Sequence, residues 1–425
     1  MNNKIAITGI GVLSPFGFGL PSLIDALKNE RSAIRNIADT HPEESQIISV
    51  AGYFPSTQFV SNIDLLNVDE ELKKKFIQLA ARAPSTVQAS LLVALQAYQQ
   101  AGLFKTSNAE RIGIIIAGNN TTQKQSYLQH QIYAQDAARV SPRYALNFFD
   151  SSHIGYVSEL LSITGEGHVV GAASASGNMA IIQATRLLEQ GILDQCLVIG
   201  VYADLSVVEL QAFRQIGALG GKKFANQPAK ASRPFDKEHE GFIPGQTAAC
   251  LILERPDIAK KRKAPILGHI LGYGLALDAQ HSSEANMNGE LQAMHNALNN
   301  AQLVIKDLDY INAHGTSSVL GDEIEANALD QLLNSYPRKQ FVNSTKSLLG
   351  HCLFSAGVVE AIATLVQMNG DFIHSNLNLE LPINDNLLWV RSPVTGNFKI
   401  ALSNSFAFGG INTSIIFHKG EALCQ

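Results

Sequence analysis

Short apolar segments alternate along the chain with longer segments in which apolar residues recur at helical spacing. Each short segment is bounded by polar residues or glycine, which is typical of a strand buried inside a sheet. In the first part of the chain these segments predict strands at Lys4–Ile10, Arg111–Ala117, His168–Ala172, Gln195–Tyr202 and Ala248–Glu254.

The clearest helix is predicted over Pro84–Gly102, with Ser85 as its candidate cap and Gly102 as its end. A second helix is predicted from about Gly177 to Glu189. Strands that alternate with helices favour an α/β architecture with buried sheets.

The same alternation returns after the polar, basic segment Arg255–Pro265. There the pattern predicts a strand at Ile266–Gly274, a helix at Gly289–Gln302 and a strand at Tyr310–Ala313. We therefore expect two halves, residues 1–254 and 266–425, related by internal duplication and joined by a solvated loop.

Composition narrows the class of protein. Charged residues make up 16% of the 425 residues, and the net charge of -5 excludes a strongly cationic nucleic-acid or membrane-surface binder. No apolar run is long enough to span a membrane, and the N-terminus lacks a signal-peptide pattern, so a cytoplasmic protein is expected. The chain has four cysteines, at Cys196, Cys250, Cys352 and Cys424. They form no CxxC pair, which argues against a zinc site or a disulfide framework.

Two glycine-rich segments follow predicted strands. Gly9-Ile10-Gly11 lacks the third glycine of a dinucleotide fingerprint, so nucleotide binding is not expected. Gly171–Gly177 (GAASASG) is a crowded turn before a helix, with Ser174 at its apex. Such a turn presents a side chain where free backbone N–H groups gather, although an ordinary serine helix cap is the simpler interpretation of this segment alone.

Three later segments combine polar side chains with glycine. His314 opens the loop NAHGTSS, and the acids Asp322, Glu323 and Glu325 after it suggest either a metal site or, more simply, the first turn of a helix. Lys346 and His351 lie five residues apart in STKSLLGH. The segment NSFAFGG ends in paired glycines, which indicates an unusual backbone or a tight hairpin turn.

Taken together and in this order, these segments resemble the β-ketoacyl-acyl-carrier-protein synthases that act on discrete carrier proteins. The resemblance covers nearly the whole chain, from ITGIGVLSPFG through SRPFDKEHEGFIPG to NSFAFGG. It implies a duplicated thiolase fold with five layers, α-β-α-β-α, and a homodimer. It also implies substrates carried on the phosphopantetheine arm of an acyl carrier protein, with no metal and no other cofactor.

The family's active site consists of a cysteine nucleophile and two histidines, which match His314 and His351. The resemblance implies further roles. Lys346 supports the second histidine, and Glu360 is the acidic partner in that support. Thr316 and Ser318 hold the phosphopantetheine arm, and the backbone N–H of Phe408 forms an oxyanion hole with that of the nucleophile.

The chain departs from the family at the nucleophile, because the family's cysteine falls at Ser174. Cys352, beside His351, is a tempting replacement, but a small buried thiol at the start of a helix is the simpler interpretation. Gln246 replaces a family glutamate and Ala407 a glycine of the gating loop. Two family prolines are also missing, one before the nucleophile strand and one after Asp278.

A serine is a poor acyl acceptor without an adjacent base, whereas decarboxylation of a malonyl thioester needs no nucleophile. This pattern resembles the malonyl-carrier-protein decarboxylases of polyketide β-branching cassettes, which yield acetyl-carrier protein and CO₂ without condensation. Two alternatives stay open. One is a non-catalytic partner like a chain-length factor, and the other is an acyltransferase or condensing enzyme that depends on Ser174.

Overall fold

The computed structural model describes residues 5–55, 59–105, 108–334 and 338–420. Lys4, at the start of the first predicted strand, and Cys424 lie outside these ranges. The strands are β1 Ile5–Ser14, β2 Gly17–Phe18, β3 Arg35–Asn36, β4 Val50–Ala51, β5 Ile112–Ala117, β6 Gly167–Val170, β7 Gln195–Gly200, β8 Ala248–Glu254, β9 Gly268–Leu277, β10 Tyr310–Asn312, β11 Phe341–Asn343, β12 Phe372–Ile373, β13 Leu388–Trp389, β14 Val394–Thr395, β15 Ile400–Ala407 and β16 Ile411–Lys419.

The helices connect these strands in the order that the apolar pattern predicts. They are α1 Leu20–Lys28, α2 Glu70–Ala80, α3 Ser85–Gln100, α4 Gln123–Gln135, α5 Tyr144–Asn147, α6 Ser151–Leu161, α7 Ser176–Glu189, α8 Val207–Gln215, α9 Pro256–Lys261, α10 Met287–Ala301, α11 Val319–Leu333, α12 Lys346–Leu349 and α13 Ala356–Asn369. Every strand and helix predicted from the sequence is present, with ends shifted by a few residues.

The main sheet repeats one strand arrangement twice. The first half has the order β6-β5-β7-β8-β1, in which β5 is parallel to β6 and β7, and β8 is antiparallel to its neighbours. The second half has the matching order β11-β10-β15-β16-β9 with the same directions, and β13 extends its edge. Residues Ile5–Ile7 of β1 pair with β9 and join the halves. The expected internal duplication is therefore visible as a repeated strand order. The boundaries at residues 254 and 266 stay a prediction.

The helices complete five layers. α7 and α13 pack against each other between the two half-sheets, α3 covers β1 and β8, and α10 covers β9 and β16 on the opposite side. The central helices touch through their backbones, because a Cβ at Gly177 would lie 2.7 Å from the Val358 nitrogen and one at Gly357 would lie 2.6 Å from the Asn178 nitrogen. The five-layered, duplicated thiolase fold is therefore confirmed.

The glycines of the first predicted strand have a packing role. β1 continues through Gly9 and Gly11, and a Cβ at either position would overlap a backbone carbonyl of α3, that of Ala97 or that of Val93. These glycines therefore let α3 lie directly on the sheet.

Two local expectations were wrong. Pro84, not Ser85, occupies the cap position of α3, and the Ser85 hydroxyl instead accepts a hydrogen bond from the Tyr202 hydroxyl at 2.6 Å. The segment expected to be a solvated loop contains α9, and Arg262 at its end forms an ion pair with the buried Glu254 at 2.6 Å. In the described ranges, no helix is both long and apolar enough to cross a membrane.

We expect Gly11→Ala to lower the free energy of unfolding by about 1–3 kcal/mol or more, because the new methyl group must push α3 away from β1. Gly155→Ala is the matched control. Gly155 lies inside α6 with nothing within 4 Å of a new Cβ, so this change should be neutral or stabilising by up to about 1 kcal/mol. Urea denaturation of the two variants measures both effects, and equal stability would contradict the packing argument.

Candidate functional site

A cavity of about 530 Å³ lies where parallel strands of both halves end. Ser174 follows β6, His314 follows β10, His351 follows β11 and Phe408 follows β15, and all four residues line it. Side chains at the carboxyl ends of parallel strands share one edge of the sheet, which explains how segments far apart in sequence meet here.

Ser174 lies in a single 3₁₀ turn, Ala173–Ala175, immediately before α7. The hydroxyl of Ser176 holds this turn, since it donates to the Ala173 carbonyl at 2.7 Å and accepts from the Ala172 N–H at 2.9 Å. Ser174 therefore does not cap the helix, and the cap interpretation was wrong. Its Oγ instead lies 2.8 Å from Nε2 of His351.

His351 has a defined tautomer. Its Nδ1 accepts a hydrogen bond from the Leu353 N–H at 3.4 Å, so in the neutral ring the proton is on Nε2. Burial, together with the nearby charge of Lys346, holds the pKa of His351 well below its ordinary value. His351 is therefore neutral near pH 7 and donates its Nε2 proton to the Ser174 hydroxyl.

His314 is fixed in the same way by Lys346. The Lys346 ammonium lies 2.7 Å from the His314 carbonyl oxygen and 3.3 Å from His314 Nδ1. An ammonium group only donates, so Nδ1 accepts and the ring proton of His314 is on Nε2. Burial, Lys346 and His351 together lower the pKa of His314 well below its ordinary value.

This geometry corrects one expectation. Lys346 was expected to support the second histidine, His351, but its contacts are with the first, His314. Glu360 of α13 forms an ion pair with Lys346, as expected for its acidic partner. Burial raises the pKa of Glu360 to about 7, an effect that Lys346 opposes.

The acids after His314 anchor its loop. Glu325 accepts hydrogen bonds from the backbone N–H groups of His314 and Gly315, both at 2.7 Å, and Asp322 accepts from Thr316 and Ser317. Asp322 lies in the first turn of α11, as expected, while Glu323 is exposed. No group of three or more His, Cys, Asp or Glu side chains in the described ranges could hold a metal ion.

The remaining predicted site residues lie in the wall of the cavity. Thr316, Ser318 and Phe408 line the cavity, and Phe408 begins the tight turn between β15 and β16, where Gly409 and Gly410 have positive φ angles of 83° and 68°. The hairpin interpretation of NSFAFGG is therefore confirmed. The roles in arm binding and in the oxyanion hole stay predictions.

Neither Cys352 nor Gln246 supplies reactive chemistry. Cys352 is fully buried, and burial raises the pKa of its thiol to about 12, which confirms the interpretation as a small buried side chain. The Gln246 side-chain oxygen accepts a hydrogen bond from the Phe54 N–H at 3.0 Å, which is a structural contact.

Motif reasoning missed three residues of the cavity wall. The Phe242 ring lies 5.3 Å from the His351 ring, and the Phe406 ring lies 5.9 Å from the His314 ring, so each imidazole faces an aromatic surface. Both phenylalanines belong to the segments that carry the family resemblance, which was the available signal. Glu290 of α10 also lines the cavity, and no motif pointed to it.

Comparison with known proteins agrees with this geometry. Residues 2–259 match the N-terminal domain of the β-ketoacyl synthase family and residues 267–380 match its C-terminal domain. The chain is 34% identical to the polyketide biosynthesis malonyl-ACP decarboxylase PksF of Bacillus subtilis, over 98% of this chain and 97% of that protein. It is 30% identical to the 3-oxoacyl-(acyl-carrier-protein) synthase 2 of Vibrio cholerae, over 98% of this chain and 99% of that protein.

Solved structures give the same result. A β-ketoacyl synthase from Burkholderia phymatum superimposes with a TM-score of 0.86 at 26% identity, covering 98% of this chain and 99% of that one. The ishigamide ketosynthase/chain length factor superimposes with a TM-score of 0.84 at 25% identity, covering 99% and 100%. With both family domains matched along one continuous fold, the chain belongs to the β-ketoacyl synthase family.

Proposed function

We propose that the protein decarboxylates malonyl-acyl-carrier protein to acetyl-carrier protein and CO₂, without condensation, in polyketide β-branching. The observation that carries this proposal is the hydrogen bond from His351 Nε2 to Ser174 at 2.8 Å, in a site where no thiol replaces the family's cysteine. The similarity to the decarboxylase of Bacillus subtilis supports the same conclusion.

Acyl transfer to Ser174 is disfavoured by this hydrogen bond. A serine hydroxyl needs a base that accepts its proton as it attacks. Nε2 of His351 already carries a proton, since Nδ1 accepts from the backbone N–H of Leu353, so Nε2 has no free lone pair with which to accept the serine proton. The ring could become an imidazolium only by protonation at Nδ1. Burial and the charge of Lys346 make that imidazolium unfavourable.

The same two imidazoles suit decarboxylation. Loss of CO₂ from a malonyl thioester places negative charge on the thioester oxygen, which N–H donors stabilise, each by roughly 10²–10³ in rate. Both histidines are neutral, so neither forms an ion pair that would hold the malonyl carboxylate in its ground state. The aromatic surfaces of Phe242 and Phe406 help to keep the leaving carboxylate poorly solvated.

A non-catalytic role explains the contacts around His314 less well than decarboxylation does. A subunit that only packs against an active synthase needs no paired N–H donors, yet Lys346, Glu360 and Glu325 hold His314 in place. An acyltransferase is the other alternative, and it differs from the decarboxylase in requiring an acylated Ser174.

The proposed carrier-protein partner fits the entrance of the cavity. Ala212, Ile216 and Gly217 are exposed and line the cavity, so it opens beside α8. Arg214 and Lys222 are exposed in and just after this helix, and the neighbouring Lys223 forms an ion pair with Glu238. We infer that this basic entrance receives an acidic carrier protein, whose phosphopantetheine arm passes Thr316 and Ser318, and that no other cofactor takes part.

A homodimer is part of the proposal. Strand β6 is the edge strand of the first half, with Gly167 and His168 exposed, and an unpaired edge can add a strand from a second copy. Phe148 and Phe149 are 40% and 55% exposed just before α6, which packs beside β6. This apolar surface next to an open edge supports pairing of two subunits there.

Replacing either histidine should abolish most of the activity. We expect His314→Ala and His351→Ala each to reduce decarboxylation by on the order of 10² or more, because each removes one N–H donor. Lys346→Ala should also reduce it, by releasing His314 rather than His351. The mass of the carrier protein after incubation with malonyl-carrier protein alone measures the loss of CO₂, and near-normal rates in both histidine variants would contradict the mechanism.

Ser174→Ala should keep much of the decarboxylase activity, because the backbone N–H groups and both imidazoles remain. Ser174→Cys is the matched variant: it should become acylated and sensitive to thiol alkylation, since a thiol at a helix N-terminus ionises readily. Mass spectrometry of the enzyme during turnover measures acylation at position 174. An inactive Ser174→Ala, combined with acyl-Ser174 formed at the turnover rate, would establish the acyltransferase instead.

Charge reversal at the entrance should weaken use of the carrier protein specifically. We expect Arg214→Glu to raise KM for malonyl-carrier protein severalfold and to leave KM for malonyl-CoA unchanged. Lys306→Glu is the control, because Lys306 is exposed before the start of β10, at the opposite end of the strand that leads to His314. Turnover of malonyl-CoA by the wild type as fast as that of malonyl-carrier protein would contradict the carrier proposal.

A further inference from the structure

Glu290 is a buried acid in the wall of the proposed reaction cavity. It lies in the first turn of α10 and is only 1% exposed, yet it lines the same cavity as Ser174, His314 and His351. Its Oε2 atom is buried and has no hydrogen-bond partner among the residues that the structure describes.

Three other acids that line the same cavity are those whose charges act on Glu290, and all three have hydrogen-bond donors. Asp278 accepts from the Asn412 amide at 2.8 Å, Glu325 accepts from the backbone of His314 and Gly315, and Asp322 accepts from that of Thr316. Glu290 differs because its Oε2 has no such donor.

The surroundings of Glu290 favour its neutral form over the carboxylate. Burial first, and then the charges of Glu325, Asp278 and Asp322, raise the pKa of Glu290 well above its ordinary value. A metal ion is not the alternative, since no set of three potential ligands in the described ranges could hold one. The cavity thus contains a carboxyl group whose surroundings favour the protonated form.

The proposed reaction requires a source of one proton. When CO₂ leaves, the electron pair of the broken C–C bond forms an enolate, which becomes an acetyl group only when its carbon receives a proton. Neither histidine can supply this proton, because loss of Nε2–H from a neutral ring would leave an imidazolate. A neutral carboxyl group is far more acidic and is a common general acid.

We propose that Glu290 is the general acid that protonates the enolate carbon. This inference rests on the proposed decarboxylase function and extends it. The Glu290 O–H bond breaks, a C–H bond forms at the acetyl methyl group, and the Glu290 carboxylate then regains a proton from solvent through the open end of the cavity. One solvent proton is consumed for each CO₂ released.

The stereochemistry of the new methyl group tests this inference. Malonyl-carrier protein with tritium at one of its two methylene positions, decarboxylated in D₂O, gives a methyl group that carries H, D and T. A fixed donor on one side of the enolate delivers deuterium to one face, whereas bulk water delivers it to both. We expect a single configuration of the acetate from the wild type and loss of that configuration from Glu290→Gln.

Glu290→Gln keeps the size and the neutral charge of the protonated side chain, and its thermal unfolding shows whether the fold is intact. Glu290→Asp, which keeps an acid, should retain part of the stereochemical preference even if the glutamine variant is unstable. Glu323→Gln is the control, because Glu323 is exposed on α11 and lies outside the cavity; it should give wild-type configuration.

Two results would overturn the inference while leaving the decarboxylase proposal intact. One is acetate of mixed configuration from the wild type, and the other is unchanged configuration from folded Glu290→Gln and Glu290→Asp. Absence of any acetyl product from the wild type would overturn both proposals together.

Discussion

The buried ammonium of Lys346 organises the whole site. Placing this charge in the interior is costly unless it is paired and hydrogen-bonded, and here Glu360 supplies the opposite charge and His314 supplies acceptors. The same ammonium fixes the tautomer of His314 and helps keep both imidazoles neutral. Without this one cation, the ring proton of His314 would have no defined position, and the chemistry that we propose depends on that proton.

The duplicated fold supplies the second constraint. Each half has a sharp turn before its central helix, with Ala173 at φ 45° and Leu353 at φ 47°, and Gly177 and Gly357 follow at matching positions where the helices touch. Backbone contact between α7 and α13 fixes the distance between the two turns. One turn presents Ser174, and the other supplies the Leu353 N–H that orients His351. Two copies of one element thus form a single asymmetric site.

Two kinds of ionisable side chain, imidazoles and carboxyl groups, line the cavity. The imidazoles of His314 and His351 have fixed N–H donors and lie beside aromatic rings, whereas α10 and α11 contribute carboxyl groups to the lining. Asp322 and Glu325 use their oxygens to hold the His314 loop, and Glu290 is left with an unpartnered oxygen. In the proposed mechanism the two imidazoles stabilise negative charge, and Glu290 delivers the proton.

The sequence by itself determined the strands and helices, because apolar periodicity reports which face of each element is buried. The order of the motifs also singled out Ser174, His314 and His351 as candidate site residues. It could not assign Lys346 to His314, since that partnership depends on how β10 and β11 align across the sheet. Nothing in the local sequence distinguishes Glu290 from an ordinary acid in the first turn of a helix, where the dipole favours one. Only tertiary packing decided that this carboxyl group is buried against three other acids, because burial and charge separation are properties of the folded chain and not of its local pattern.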